Sequence, residues 1–377
     1  MAYLGYLYET GRGVPKDDQQ AVGFYRKSAE AGNPLGMNNL GAMYANGRGG
    51  LSKDDSQAAG WYRKAAVAGN ALGMVNLGVY YANGRGGLPK DEAQAASWYR
   101  KAAEAGNSLG MAYLGFLFEK GQGVPRDDTQ AVSWYRKSAD LANPLGMNNL
   151  GAAYESGRGG LPKDDVQAAN WYRKAADAGN AFGMVNLGVM YDRGRGGLPK
   201  DDVQAAGWYR KSADAGNGLA MVDLGYLYET GRGGLPKDDA QAASWYRKAA
   251  DAGNALGMNN LGFMYANARG GLPKDDAQAV SWYVKAADAG EAYGMANLGY
   301  MYENGRGGLP KDDKLAVDWY RKAANAGNAL GMNNLGFMYE AGRGGLPKDD
   351  AQAISWFRKA AQLGNANSQA ELKRLGR

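Results

Sequence analysis

The sequence contains no cysteine and no histidine among its 377 residues. The first absence removes disulfides and thiolate nucleophiles. The second removes imidazole metal ligands, and together they exclude every Ser-His or Cys-His relay. No run of roughly 18 apolar residues occurs, so no membrane-spanning helix is expected. The opening MAYLGYLYETGRG lacks a basic stretch, an apolar core and a small-residue cleavage site, so no signal peptide is read there. As it stands the chain would stay in the cytoplasm, and an upstream signal would export it. Missing cysteine fits any compartment.

What is present is repetition. The block WYRKAA or a close variant begins at Phe24, Trp61, Trp98, Trp134, Trp171, Trp208, Trp245, Trp282, Trp319 and Trp356, spaced by 37 residues, once by 36. All nine tryptophans lie in this column. A fixed period of this length marks a solenoid rather than several globular domains. Each unit reads as two helices. In LGMVNLGVYYANG, residues Gly73, Met74, Leu77, Gly78 and Tyr81 share one helical face, and Gly84 can turn left-handed to stop it. In PKDEAQAASWYRKAAEAGN, Asp91 is a good N-cap with Gln94 three residues on. Ala95, Trp98, Tyr99, Ala102 and Ala103 form the expected buried stripe, and Gly106 ends the helix.

Between the two helices stands GRGGLPKDD, five times verbatim. It lacks the Gly-Lys-Ser/Thr ending of a phosphate-binding loop. One Arg per repeat is also too sparse for an Arg-Gly RNA-binding box. The expected role is a hinge, with glycines turning the chain, proline setting its re-entry and the first Asp capping the second helix.

The pattern L-G-x-x-Y-x-x-G-x-G followed by A-x-x-W-Y-x-K-A-A-x-x-G, carried for instance by Leu77-Gly78, Tyr81, Gly84, Gly86, Ala95, Trp98-Tyr99, Lys101-Ala102-Ala103 and Gly106, resembles the Sel-one-like repeat family, relatives of tetratricopeptide repeats. The resemblance covers essentially the whole chain. It implies an all-α, right-handed solenoid of about ten stacked helix-turn-helix repeats of 36–37 residues, the first helix of each pair lining a concave side. It also implies an adaptor for other proteins with no chemistry of its own. A cysteine-rich branch of that family is linked to penicillin-type ligands; with every cysteine missing, that activity is not carried over.

Residues 1–110 and 111–220 match almost letter for letter, a longer rhythm of three repeats. Duplication of three repeats at once is the simplest explanation; regularly spaced contacts on a partner are the weaker one. The chain is read as one array over 1–377, with a first repeat that enters mid-helix and a polar closing segment, 365–377, expected as a cap helix.

Net charge is +6, which raises nucleic acid as a partner. Yet 38 of the 44 basic residues fall in four repeated columns, and 20 of the 38 acids are the pairs that begin second helices. Spread charge of this kind is a solvated outer face, with Arg100 meeting Glu104, rather than a nucleic-acid stripe. No nucleic acid, cofactor or metal is therefore expected.

A helical wheel with Leu77 inward sends Val75, Asn76, Val79, Ala82 and Asn83 outward. The Asn76 column holds Asn39, Asn76, Asn149, Asn186, Asn260, Asn297 and Asn334, with Asp223 as a variant. These amides suit gripping a peptide backbone, or equally bonding across adjacent helices to hold register. The Val79 column ends in four aromatics, Tyr226, Phe263, Tyr300 and Phe337, read as an interaction strip in the groove, with burial between first helices as the alternative. The Ala82 column carries acids such as Glu229, with the hinge Arg three residues later, Arg232, as expected partner or else as an acidic rim for a basic one. Val284, Glu291, Ala268 and Lys314-Leu315 depart from the repeat together, a binding spot or drift.

The expected function is a monomeric protein-interaction scaffold taking a partner segment in its groove. The rival is an exported binder or enzyme acting on cell-wall or polysaccharide material, which would need a unique convergent set of polar residues.

Overall fold

The computed structural model describes residues 1–376, and among them the chain forms 21 α-helices and no strand. They are α1 (Ala2–Thr10), α2 (Asp18–Glu30), α3 (Pro34–Asn46), α4 (Asp55–Val67), α5 (Ala71–Asn83), α6 (Glu92–Glu104), α7 (Ser108–Lys120), α8 (Asp128–Asp140), α9 (Pro144–Ser156), α10 (Asp165–Asp177), α11 (Ala181–Arg193), α12 (Asp202–Asp214), α13 (Gly218–Thr230), α14 (Asp239–Asp251), α15 (Ala255–Ala266), α16 (Asp276–Asp288), α17 (Ala292–Asn304), α18 (Asp313–Asn325), α19 (Ala329–Ala341), α20 (Asp350–Gln362) and α21 (Ala366–Arg374). The packing groups into two compact units, Met1–Asn186 with Arg195–Leu198, and Leu187–Gly194 with Pro199–Arg377. This is an all-α solenoid of helix pairs. No described helix is long and apolar enough to cross a membrane.

Apart from α1, which begins after Met1 with no side-chain cap, capping fixes the hairpins the same way. The first Asp of each acidic pair caps the second helix, as Asp91 Oδ1 does by accepting from Gln94 N at 2.9 Å. First helices start on Asn, as Asn70 Oδ1 accepts from Gly73 N at 2.7 Å, and Glu291 replaces that Asn by accepting from Gly294 N. Gly84 ends α5 at φ 63°, so the hinge segment, GRGGLPKDE in this repeat, is a turn between helices. Ala268 occupies the same left-handed position at φ 52° without glycine's freedom. Ala268→Gly is therefore expected to stabilise the chain by about 1 kcal/mol, read as a higher urea midpoint. An unchanged or lower midpoint would remove strain as the account of this departure.

Inside the array a first helix is wedged between second helices on both sides, as α5 is between α4 and α6, and also touches the neighbouring first helices, here α3 and α7. This explains a correction to the wheel. Val75, placed outward from the sequence, is 1% exposed, and Tyr80 is buried too, while Met74 and Tyr81 are only half-buried. A wheel with one inward face assumes one neighbour, and this helix has four. In α6 the stripe is Ala95, Ala96, Tyr99, Ala102 and Ala103, with Trp98 half-buried. Each tryptophan instead carries the lysine three residues on over its ring, as Lys248 Nζ lies 4.0 Å from the Trp245 centroid. Arg100 lies over the Phe118 ring, 5.9 Å from its centroid, rather than on Glu104.

The hinge arginines stitch repeats together. Arg232 does not pair with Glu229. It reaches back one repeat to Asp192, and forks onto Asp202 with Nε and Nη2 at 2.9 and 2.8 Å. Glu229 is held by the next hinge arginine, Arg269, whose Nη1 donates at 2.6 Å while its Nε and Nη2 grip Asp239. The other oxygen of Glu229 accepts from the buried Tyr246 hydroxyl at 2.7 Å. The Arg269 guanidinium holds the Asp239 carboxyl below the usual carboxylate range. The same clamp joins Arg48 to Glu9 and Asp18, Arg195 to Glu155 and Asp165, and Arg343 to Glu303 and Asp313. Sequence spacing alone favours the near partner. The stack brings the carboxylate of the preceding first helix closer to the guanidinium than the one on the arginine's own helix.

Candidate interaction surface

In the second unit, α13, α15, α17 and α19 lie side by side, each touching the next. Their equivalent positions present Tyr226, Phe263, Tyr300 and Phe337, which are 50%, 42%, 45% and 36% exposed. The rings are not sealed between first helices. A side chain one position outside a helix's buried band has no partner helix above it, so the aromatic surface stays in solvent. Two of the rings are oriented by the hinge arginine of their own repeat: Arg269 lies 5.9 Å from the Phe263 centroid and Arg306 5.8 Å from that of Tyr300. Phe337 packs edge-on against the buried Phe357 at 5.0 Å. It also joins Asn334, Glu303, Glu340 and Arg343 around an open depression of about 370 Å³.

The strip is wider than the Val79 column. Leu219 and Tyr293, seven residues before Tyr226 and Tyr300, are 41% and 52% exposed on the same helices. The two-turn spacing was the available signal.

The Asn column lies beneath, half-buried, and part of it braces the stack. Asn76 Nδ2 donates to Asn38 Oδ1 at 2.9 Å, and Asn38 Nδ2 donates to Asn39 Oδ1 at 3.1 Å. The triad recurs as Asn186, Asn148 and Asn149, and as Asn297, Asn259 and Asn260. Next to α21 the buried Ser368 hydroxyl takes the donor's place on Asn333, which donates to Asn334. The three-repeat rhythm thus coincides with an inter-repeat amide network. The second asparagine of the pair, in the Val75 column, was the partner that the wheel had pointed to solvent.

Asp223 breaks the amide column. Burial pushes its carboxyl up to about 7, the nearby negative charge of Asp192 adds to this, and Arg193 partly offsets it. In the first unit a cavity of about 560 Å³ opens among Val79, Tyr99, Tyr113, Phe116 and Phe182, with Asn149 of the amide column on its lining; as a site it was not expected from the sequence. Its signal was a coincidence of departures: Tyr113 in the Asn column, Ala82 in the acid column and Gln122 at the hinge arginine.

Stacked capped hairpins define a helical-repeat protein. The chain belongs to the Sel1 repeat family: the family model matches ten times, over residues 1–33, 34–70, 71–107, 108–143, 144–180, 181–217, 218–254, 255–291, 292–328 and 329–365. Members of this family are generally protein-interaction scaffolds. Among solved structures, the chain is similar to c5321, a protective antigen of uropathogenic Escherichia coli strains with an SLR fold, at 38% identity and TM-score 0.58, over 99% of this chain and 78% of that one. It is also similar to a Sel1 repeat protein from Oxalobacter formigenes, at 31% identity and TM-score 0.58, over 66% of this chain and 96% of that one. No curated protein matches the chain in sequence.

Proposed function

We propose that this protein is a non-catalytic, monomeric scaffold whose second unit takes an extended or helical partner segment along the first-helix face. Tyr226, Phe263, Tyr300 and Phe337 anchor the partner, and the Asn column, including Asn260, Asn297 and Asn334, offers its remaining amide groups as a polar floor. One observation carries this reading: four aromatic rings at one position of four adjacent helices, each at least 36% exposed. Covering such a ring contributes on the order of 1 kcal/mol through apolar burial. Four in register suit a segment rather than a small molecule. The hinge arginines beside Phe263 and Tyr300 already spend their charge on Asp239 and Asp276, so the strip selects by apolar side chains more than by charge.

The test selects peptides from a random displayed library against the protein and compares their binding to the double variant Phe263→Ala, Tyr300→Ala. The expected result is affinity lowered at least about tenfold with unchanged helical circular dichroism. Equal affinity for the double variant would place the binding surface elsewhere.

A further inference from the structure

The cavity of the first unit sits where a hinge arginine should be. At seven of the nine hinge arginines the side chain forks onto the second acid of the preceding repeat's acidic pair; Arg158 is an exception, because Arg126 takes Asp128 in its place. Arg85 forks onto Asp55 at 2.7 and 3.2 Å, and Arg306 onto Asp276 at 2.6 and 2.8 Å. At Phe263 and Tyr300 its guanidinium also lies over the ring six residues earlier. In the fourth repeat the receiving groups remain and the arginine does not. Glu92, of the third repeat, stands in the acid position, Phe116 in the ring position with the half-exposed Lys120 ammonium 5.6 Å from its centroid, and the hinge residue is the neutral Gln122. Glu92, Phe116 and Gln122 line the cavity. Ala82 stands where other repeats have the carboxylate that accepts from the buried tyrosine, as Glu155 does from Tyr172 at 2.7 Å. Tyr99, only 4% exposed and lining the cavity, therefore has no carboxylate for its hydroxyl among the described residues, and burial raises that hydroxyl above the ordinary tyrosine range. Among the described residues the Glu92 carboxylate is met by Lys90 alone, at 3.9 Å, a contact with 68% of the lysine side chain in solvent.

We propose that this cavity is a receptor for the arginine side chain of a partner segment, its guanidinium paired with Glu92 and lying over Phe116, with an apolar residue next to that arginine packed against Leu145 and Phe182. The Tyr99 hydroxyl oxygen accepts one N–H, and Lys90 and Lys120 swing away to solvent. Charge and shape both argue for guanidinium over ammonium. The slot is built on the pattern that holds a planar fork at seven other hinges, Arg85 among them, and aromatic faces favour a weakly hydrated cation. The site lies in the other unit from the aromatic strip and stands or falls independently of it.

Benzoyl-arginine amide is the probe, with benzoyl-citrulline amide as its neutral isostere, each titrated calorimetrically into the full chain. Saturable binding on the order of millimolar is expected for the arginine probe, and at least about tenfold weaker binding for citrulline. Gln122→Arg restores the residue other repeats carry and fills the slot from within, so it should weaken the probe at least about tenfold with unchanged circular dichroism. Glu92→Gln should weaken it similarly by removing the ion pair. Phe263→Ala with Tyr300→Ala should leave probe binding unchanged. Equal binding of the citrulline probe, undiminished binding to Gln122→Arg and Glu92→Gln, or no saturable binding of the arginine probe would each overturn the assignment.

Discussion

Gly225→Ala is expected to destabilise the second unit by about 2 kcal/mol, although alanine is the better helix former. A methyl group on Gly225 would meet Cε1 and Cδ1 of Tyr246 at 2.5 and 2.7 Å. That ring cannot swing aside: Tyr246 is 2% exposed, and its hydroxyl is tied to Glu229 at 2.7 Å. Two effects of opposite sign compete. Removing a helical glycine gains up to about 1 kcal/mol, whereas forcing a methyl group into a filled core costs about 1–3 kcal/mol, occasionally more. With the contact this short and the ring pinned at both ends, overpacking wins. Gly207→Ala in α12 is the control, because nothing lies within 4 Å of the added methyl group. It should stabilise by up to about 1 kcal/mol. Urea denaturation of both variants separates the terms; a stabilised Gly225→Ala would mean that the ring yields and that glycine is not required for the close approach.

Asp223→Asn should stabilise the protein at pH 8 by about 2 kcal/mol and leave it unchanged below pH 4. The carboxyl rises from 3.8 to about 7 on folding, so the folded chain binds its proton more tightly than the unfolded one. Protonated Asp223 is accommodated fully below the unfolded value. The accommodation is lost steadily as pH climbs through about 7, because the ionised group must then be held near Asp192 in a poorly hydrated place. About 1.4 kcal/mol per pH unit sets a ceiling near 4 kcal/mol; roughly half is expected, since the group is only half-buried and water reaches it. Asparagine has nothing to ionise and is the residue that seven other repeats carry here. A difference in unfolding free energy that stays constant from pH 4 to 8 would show that Asp223 is not the titrating group.

How much of this was legible beforehand depends on distance along the chain. Helix starts and stops were readable because capping is local: Asp91 and its acceptor contact with Gln94 lie three residues apart, and Gly84 stops its own helix. Exposure of Phe263 and Tyr300 was one of two open readings, and it turned on how far each first helix is engulfed by its neighbours. The arginine clamps were misassigned for the same reason. Glu229 and Arg269 are 40 residues apart, and only stacking makes them neighbours. The cavity went unremarked because three departures that mean little separately, at Ala82, Tyr113 and Gln122, converge only in space.

By itself the sequence determined the period, the two helices of each repeat and the residues that cap them. These follow from interactions within a turn or two of the chain, which any copy of the motif makes regardless of its surroundings. Tertiary structure alone decided which asparagines bridge repeats, which carboxylate each arginine finds and where an arginine is missing from its slot. Those choices depend on the offset between stacked hairpins, a quantity written in packed side chains rather than in any one repeat.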